Sequence, residues 1–88
     1  MTIHIFNTPE AFQSYHHLSD STDLLLLIED AVYLCLSQDL TTDPRIKILV
    51  DDVKLRSISL SPTLSYISYA EWVSLTDLHQ NSVSWGRP

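Results

Sequence analysis

The stretch Leu24–Cys35 reads LLLLIEDAVYLC and holds the only cysteine of the chain beside an acidic pair, Glu29 and Asp30. A lone thiol can attack an electrophile, but only the thiolate does so readily. That form needs a helix N-terminus or a basic neighbour. Cys35 falls in mid-helix, well past Asp30 and beyond the favourable end of the helix dipole. Its neighbours Tyr33, Leu34, Leu36 and Ser37 offer no positive charge. Free cysteine is also among the most buried residue types, so packing is the expectation for Cys35 and a working nucleophile the competing reading. One cysteine without a CxxC or His/Cys ligand pattern gives neither a disulfide framework nor a zinc site.

The acidic pair follows an apolar run, and the carboxyl end of a parallel strand is where ligands usually bind in such sheets. Two carboxylates there would oppose a phosphate at the next helix N-terminus. The plainer expectation is Asp30 as an N-cap and Glu29 as a solvated loop residue. His16 and His17 are adjacent, so on a helix they point about 100° apart and cannot chelate together. His4 alternates with Ile3 and Ile5, and surface or helix-end roles are expected for all three. The single glycine, Gly86, rules out a GxGxxG or Walker A loop. No serine sits in a GxSxG elbow, and Asp77 and His79 diverge on their helix, so no hydrolase constellation forms. No cofactor and no metal are expected.

Eighty-eight residues with a net charge of −6 predict one domain over residues 1–88 and a surface that repels phosphate backbones and anionic lipid. The nearest basic cluster, Arg45, Lys47, Lys54 and Arg56, is interrupted by Asp43, Asp51 and Asp52. A composition 44% hydrophobic and only 18% charged implies that another chain covers part of the apolar surface. The opening MTIHIF lacks a basic n-region, and no apolar run approaches the roughly 20 residues that span a membrane. A soluble, cytoplasmic protein is expected.

These residues have to be positioned by short elements. Ile3–Phe6 is β-prone, and Asn7-Thr8-Pro9-Glu10 starts a helix whose one face carries Ala11, Tyr15 and Leu18, with Phe12 alongside. Leu24–Ile28 lacks period-2 alternation, as in a central parallel strand buried on both faces. The helix after it, about Ala31–Gln38, is apolar nearly all round. Ile46–Val50 is the third strand, Asp51–Arg56 a short helix and Leu64–Tyr69 the fourth strand. Glu71–His79 is the last helix, with Trp72, Leu75 and Leu78/His79 inward, and Asn81–Pro88 a tail. The predicted fold is α/β: a small domain with a mostly parallel four-stranded sheet flanked by helices.

In this order HIFNTP, LLLLIEDAVYLCL, IKILVDDVKLR and ISYAEWVSLTDLHQNSVSW resemble the DsrH/TusB family over essentially the whole chain. The resemblance implies a DsrE/DsrF/DsrH-like fold and the small subunit of a DsrEFH or TusBCD sulfur relay complex, a dimer of heterotrimers. TusC-like and TusD-like subunits would be its partners. The TusBCD branch serves 2-thiolation of the tRNA wobble uridine, with the catalytic cysteine on the TusD-like partner and the link to tRNA through the complex. By itself the chain would then be no enzyme. Some DsrH relatives in sulfur oxidation carry a cysteine before the second strand; the matching region, His17–Thr22, has none. Val32, Leu36, Trp72 and Trp85 are the interface candidates, and Arg56 reads as solvated. Ser57 stands where the family commonly has glycine, so that turn either avoids positive φ or accepts strain. The alternatives are a Cys35-dependent sulfur carrier, a DsrH-like subunit in sulfur oxidation, and a stand-alone interaction module.

Overall fold

The computed structural model describes residues 2–36, 43–78 and 81–86. Five strands pair in parallel: β1 (Thr2–Phe6), β2 (Leu24–Leu27), β3 (Ile46–Leu49), β4 (Tyr66–Ile67) and β5 (Asn81–Trp85). Their order across the sheet is β4-β3-β2-β1-β5. The helices are α1 (Pro9–Tyr15), α2 (Val50–Leu55) and α3 (Tyr69–Leu78), with 3₁₀ segments at His16–Leu18 and Glu29–Leu36. The parallel α/β expectation holds, with a fifth strand added. Residues read as tail form β5, because Val83 and Trp85 alternate with Ser82 and Ser84 as a half-buried strand requires. Gln38, Asp39–Thr42, His79, Arg87 and Pro88 lie outside the described residues.

Strand order dictates which face each helix covers. The chain steps from β1 to β4 in one direction, and right-handed crossovers put every connection of that series on one face. Ala11 and Phe12 of α1, Ala31 and Val32 of the 3₁₀ helix and Val53 of α2 accordingly pack with Phe6, Leu25, Leu27 and Ile48. The step from β4 back past β1 to β5 runs the other way and carries α3 to the opposite face. There Trp72 and Leu75 pack on Ile3, Leu26 and Ile67. β2 lies at the centre, with Leu25 and Leu27 on the first face and Leu26 on the second, all at most 2% exposed. That is the double burial its unbroken apolar run predicts.

Local chemistry sets the element ends. Thr8 caps α1 by accepting from Ala11 N–H at 3.1 Å, with Pro9 in the first turn. Tyr15 is 41% and Leu18 57% exposed, so the buried face of that segment is Ala11 and Phe12. α3 begins at Tyr69, two residues before the expected start, and shortens β4 to two residues. The cause is a capping box: Ser68 Oγ accepts from Glu71 N–H at 3.1 Å while Glu71 Oε1 accepts from Ser68 N–H at 3.0 Å. α2 ends in a Schellman motif, with Ser57 N–H donating to Lys54 O and Ile58 N–H to Val53 O, both at 3.1 Å. Ser57 holds φ 56, so the turn accepts strain rather than avoiding it.

The two ends of the chain are joined through His4, which is buried at 6% exposure rather than lying at the surface. Trp85 Nε1–H donates to His4 Nδ1 at 3.0 Å, and His4 Nε2 meets Asp23 Oδ2 at 2.9 Å. An indole can only donate, so Nδ1 accepts and the hydrogen of the ring sits on Nε2. Asp23 also accepts from the N–H groups of Asp20 (3.0 Å) and Thr2 (2.9 Å). The Asp20 N–H, with His4 and Thr2 in support and burial opposing, holds the Asp23 carboxyl down at about 2.

A carboxyl lowered from 3.8 to about 2 contributes stability that is complete above about pH 4 and is lost as pH falls toward 2. Urea titrations between pH 5 and pH 2 should show that loss, and Asp23→Asn should flatten the profile while costing on the order of 1–3 kcal/mol at neutral pH. Ser57→Gly should raise the urea midpoint, by about 0.5–1 kcal/mol of stability, because glycine relieves the left-handed conformation.

Candidate functional site

The residues nominated by the sequence fall into three places. Cys35 and Val32 share the 3₁₀ helix after β2, at the carboxyl end of the central strand. Val32 is 0% exposed and sits in the core with Ala31, Leu27 and Val53, so it has no surface to offer a partner. Leu36, at the end of the same helix, is 73% exposed. Cys35 is half-buried against the core of that face. Burial pushes its thiol up to about 11, the opposite of what a nucleophile or persulfide carrier requires.

Glu29 opens this helix at φ 50, a left-handed conformation that a non-glycine residue holds only when its surroundings fix it. Its N–H donates to Asp52 Oδ2 at 2.8 Å, which ties the turn to α2. Asp30 is not the N-cap: it lies inside the helical segment, and Oδ1 accepts from Arg56 Nη2 at 3.0 Å and Nε at 3.1 Å. Arg56 also faces Asp52 at 3.6 Å and lies over the Tyr33 ring, 5.9 Å from its centroid. Only 18% of its side chain is exposed, so Arg56 is a clasp between two helices rather than a solvated charge. Within the acidic corner, Asp30 and Asp52 share the single positive charge of Arg56.

Trp72 and Trp85 lie on opposite faces of the sheet. Trp85 faces α1, where it stacks on Tyr15 with 4.6 Å between centroids and donates to His4. Trp72 is half-buried under α3, and its indole N–H has no partner among the described residues. Among the described residues α3 alone covers its face of the five-stranded sheet, and a groove opens on each side of it. One, of about 360 Å³, is lined by Ile5, Tyr69, Trp72, Val73, Thr76 and Ser82. The other, about 480 Å³, runs past Lys47, Ser65, Tyr66, Glu71 and Ser74. Tyr69 and Val73 are more than half exposed on the rim of the first. The sequence carried a signal for this surface, the exposed apolar positions of α3, but not for the groove, which depends on where β5 docks.

Arg45 and Lys47 are likewise occupied, while Lys54 is exposed on α2. Arg45 bonds Asp43 at 2.9 Å, Ser19 Oγ at 3.0 Å and Asp20 O at 2.8 Å, and Lys47 reaches Ser65 Oγ at 3.1 Å. The Arg45 guanidinium holds the Asp43 carboxyl below its usual range. His16 Nδ1 lies 2.7 Å from Phe12 O, and its ring stacks on Phe12, so it closes α1 rather than facing a ligand. Among the described residues no three His, Cys, Asp or Glu side chains cluster to hold a metal ion, and no helix is long and apolar enough to cross a membrane.

A thiol held near 11 should alkylate slowly. At pH 8, iodoacetamide should modify native Cys35 at least about ten-fold more slowly than the same residue in urea-unfolded chain, because burial withholds the thiolate and restricts access.

No match to a curated protein was found. The model of the family of DsrH-like proteins matches residues 7–82, a stretch that takes in α1, the acidic turn with Cys35, the Arg56 clasp and α3. With a match of that extent, and a parallel sheet flanked by helices beneath it, the chain belongs to the DsrH family.

Proposed function

We propose that this chain is the non-catalytic, DsrH/TusB-like subunit of a sulfur relay complex. It works beside TusC-like and TusD-like subunits in the cytoplasm, in 2-thiolation of the tRNA wobble uridine. Family membership supports the relay setting. The observation that carries the non-catalytic assignment is Cys35: the one thiol of the chain is half-buried and its pKa is raised. A relay cysteine must pass through a thiolate and meet a donor and an acceptor in turn. A partner subunit therefore supplies the working cysteine, and this chain supplies surface.

Leu36, with Tyr33 beside it, and Trp72, with Tyr69 and Val73, are the residues this reading turns toward partners. Tyr33, Leu36, Tyr69 and Val73 are exposed large apolar side chains, and Trp72 lies half-buried beside the last two. Trp85 and Val32 serve the core of the chain itself. With Arg45 and Arg56 paired to carboxylates and a net charge of −6, the chain is poorly suited to grip RNA directly. Contact with tRNA is made by other members of the complex.

A role in sulfur oxidation is the second reading. What weighs against it is the segment His17–Thr22, which has no cysteine where some DsrH relatives carry one. Mixed at micromolar concentration with TusC-like and TusD-like proteins, the chain should elute with both in a single complex. After sulfur loading, intact mass should place a persulfide of about +32 Da on the TusD-like subunit and none on this chain. A chain that stays apart from both partners, or that gains the adduct on Cys35, would contradict the proposal.

A further inference from the structure

The sheet has two edges, and the fold treats them differently. β4 is only two residues long, which leaves little for another strand to pair with. β5 runs five residues, Asn81–Trp85, and its sequence NSVSW contains no charge and no proline to discourage pairing. Among the described residues β5 pairs with β1 alone.

The direction of its free groups follows from one bond. Asn7 N–H donates to the Trp85 carbonyl at 3.4 Å, so the backbone of Trp85 faces β1. Backbone groups alternate along a strand, so Val83 and Asn81 also face β1, while Ser82 and Ser84 present their N–H and C=O groups to the open edge. Ser82 lines the groove of about 360 Å³ on the α3 face, and the exposed Tyr69 and Val73 stand on that rim.

We infer that β5 is a docking edge for a second copy of this chain, in antiparallel register about a two-fold axis at Val83. The edge is complementary to itself in that register. Ser82 falls opposite Ser84 of the partner subunit, and each such pair exchanges both its N–H···O bonds. Val83 falls opposite Val83 of the partner subunit as a non-hydrogen-bonded pair, with backbone groups already committed to β1. No like charges meet along the strand, and the apolar rims of the two α3 grooves come to the same side of the junction. The contact is isologous, and it closes into a dimer instead of propagating. It does not depend on the relay reading.

Sedimentation equilibrium of the full chain tests this, together with a register-specific cross-link. Wild type should be dimeric by about 100 µM. Ser84→Pro removes an outward N–H while sparing the ladder to β1, as an edge position tolerates. It should weaken dimerisation at least ten-fold, with far-UV circular dichroism unchanged; Ser84→Lys serves the same purpose should the proline variant misfold. In a Cys35→Ala background, Val83→Cys should oxidise to a disulfide-linked dimer, because non-hydrogen-bonded antiparallel partners bring Cα atoms to about 4.5 Å, within disulfide reach. A monomeric wild type, a folded Ser84 variant that dimerises as well as wild type, or a Val83→Cys chain that does not cross-link would each overturn the inference.

Discussion

A buried imidazole joins the first strand to the last and both to the loop that enters the central strand. His4 accepts from Trp85 of β5 and donates to Asp23, which in turn gathers the N–H groups of Thr2 and Asp20. In a sheet built by stepping from β1 to β4, the fifth strand has to return across the molecule to the far side of β1. Nothing in the apolar pattern of NSVSW compels it to do so. The bond from Trp85 to His4 supplies that specificity, since any other placement of β5 would leave the buried Nδ1 of His4 without its donor. The face of the sheet on which α3 lies, the groove beside it and the open edge of β5 all follow from this return.

The sequence made the central part of the fold legible and the periphery less so. LLLLI announced a strand buried on both faces, and Asn7-Thr8-Pro9-Glu10 announced the start of α1, because burial and capping are local rules. The capping box Ser68-x-x-Glu71 was also present in the sequence, and it is what carries the start of α3 back to Tyr69. β5 was hidden because its pattern holds only two apolar residues, and His4 seemed idle because Asp23 and Trp85 are distant along the chain. Arg56 became a clasp for the same reason: Asp30 lies 26 residues before it, across the sheet connection. Long-range polar pairs of this kind leave no periodic trace. Ser57 shows a different limit, since a left-handed Schellman position is usually glycine and the chain holds it with serine at some strain.

In the segment LLLLIEDAVYLC the structure commits strand, acidic pair and thiol to packing and tethering. Its strand is the centre of the core, its acidic pair is bound to α2 and Arg56, and its thiol is pushed up by burial. Cys35 is a small apolar residue in a helix whose far end, at Leu36, remains in solvent. On the proposed reading, a DsrH-family chain built in this way contributes shape and surface to an assembly.

The central claim is therefore that sulfur passes without touching this chain. Its most direct test is the rate of sulfur transfer from a persulfide-bearing donor through a reconstituted complex with the TusC-like and TusD-like subunits, measured with wild type and with Cys35→Ala. The account predicts equal rates, since the variant removes a packed thiol that no transfer step uses. A loss of transfer in an intact complex carrying Cys35→Ala would contradict it.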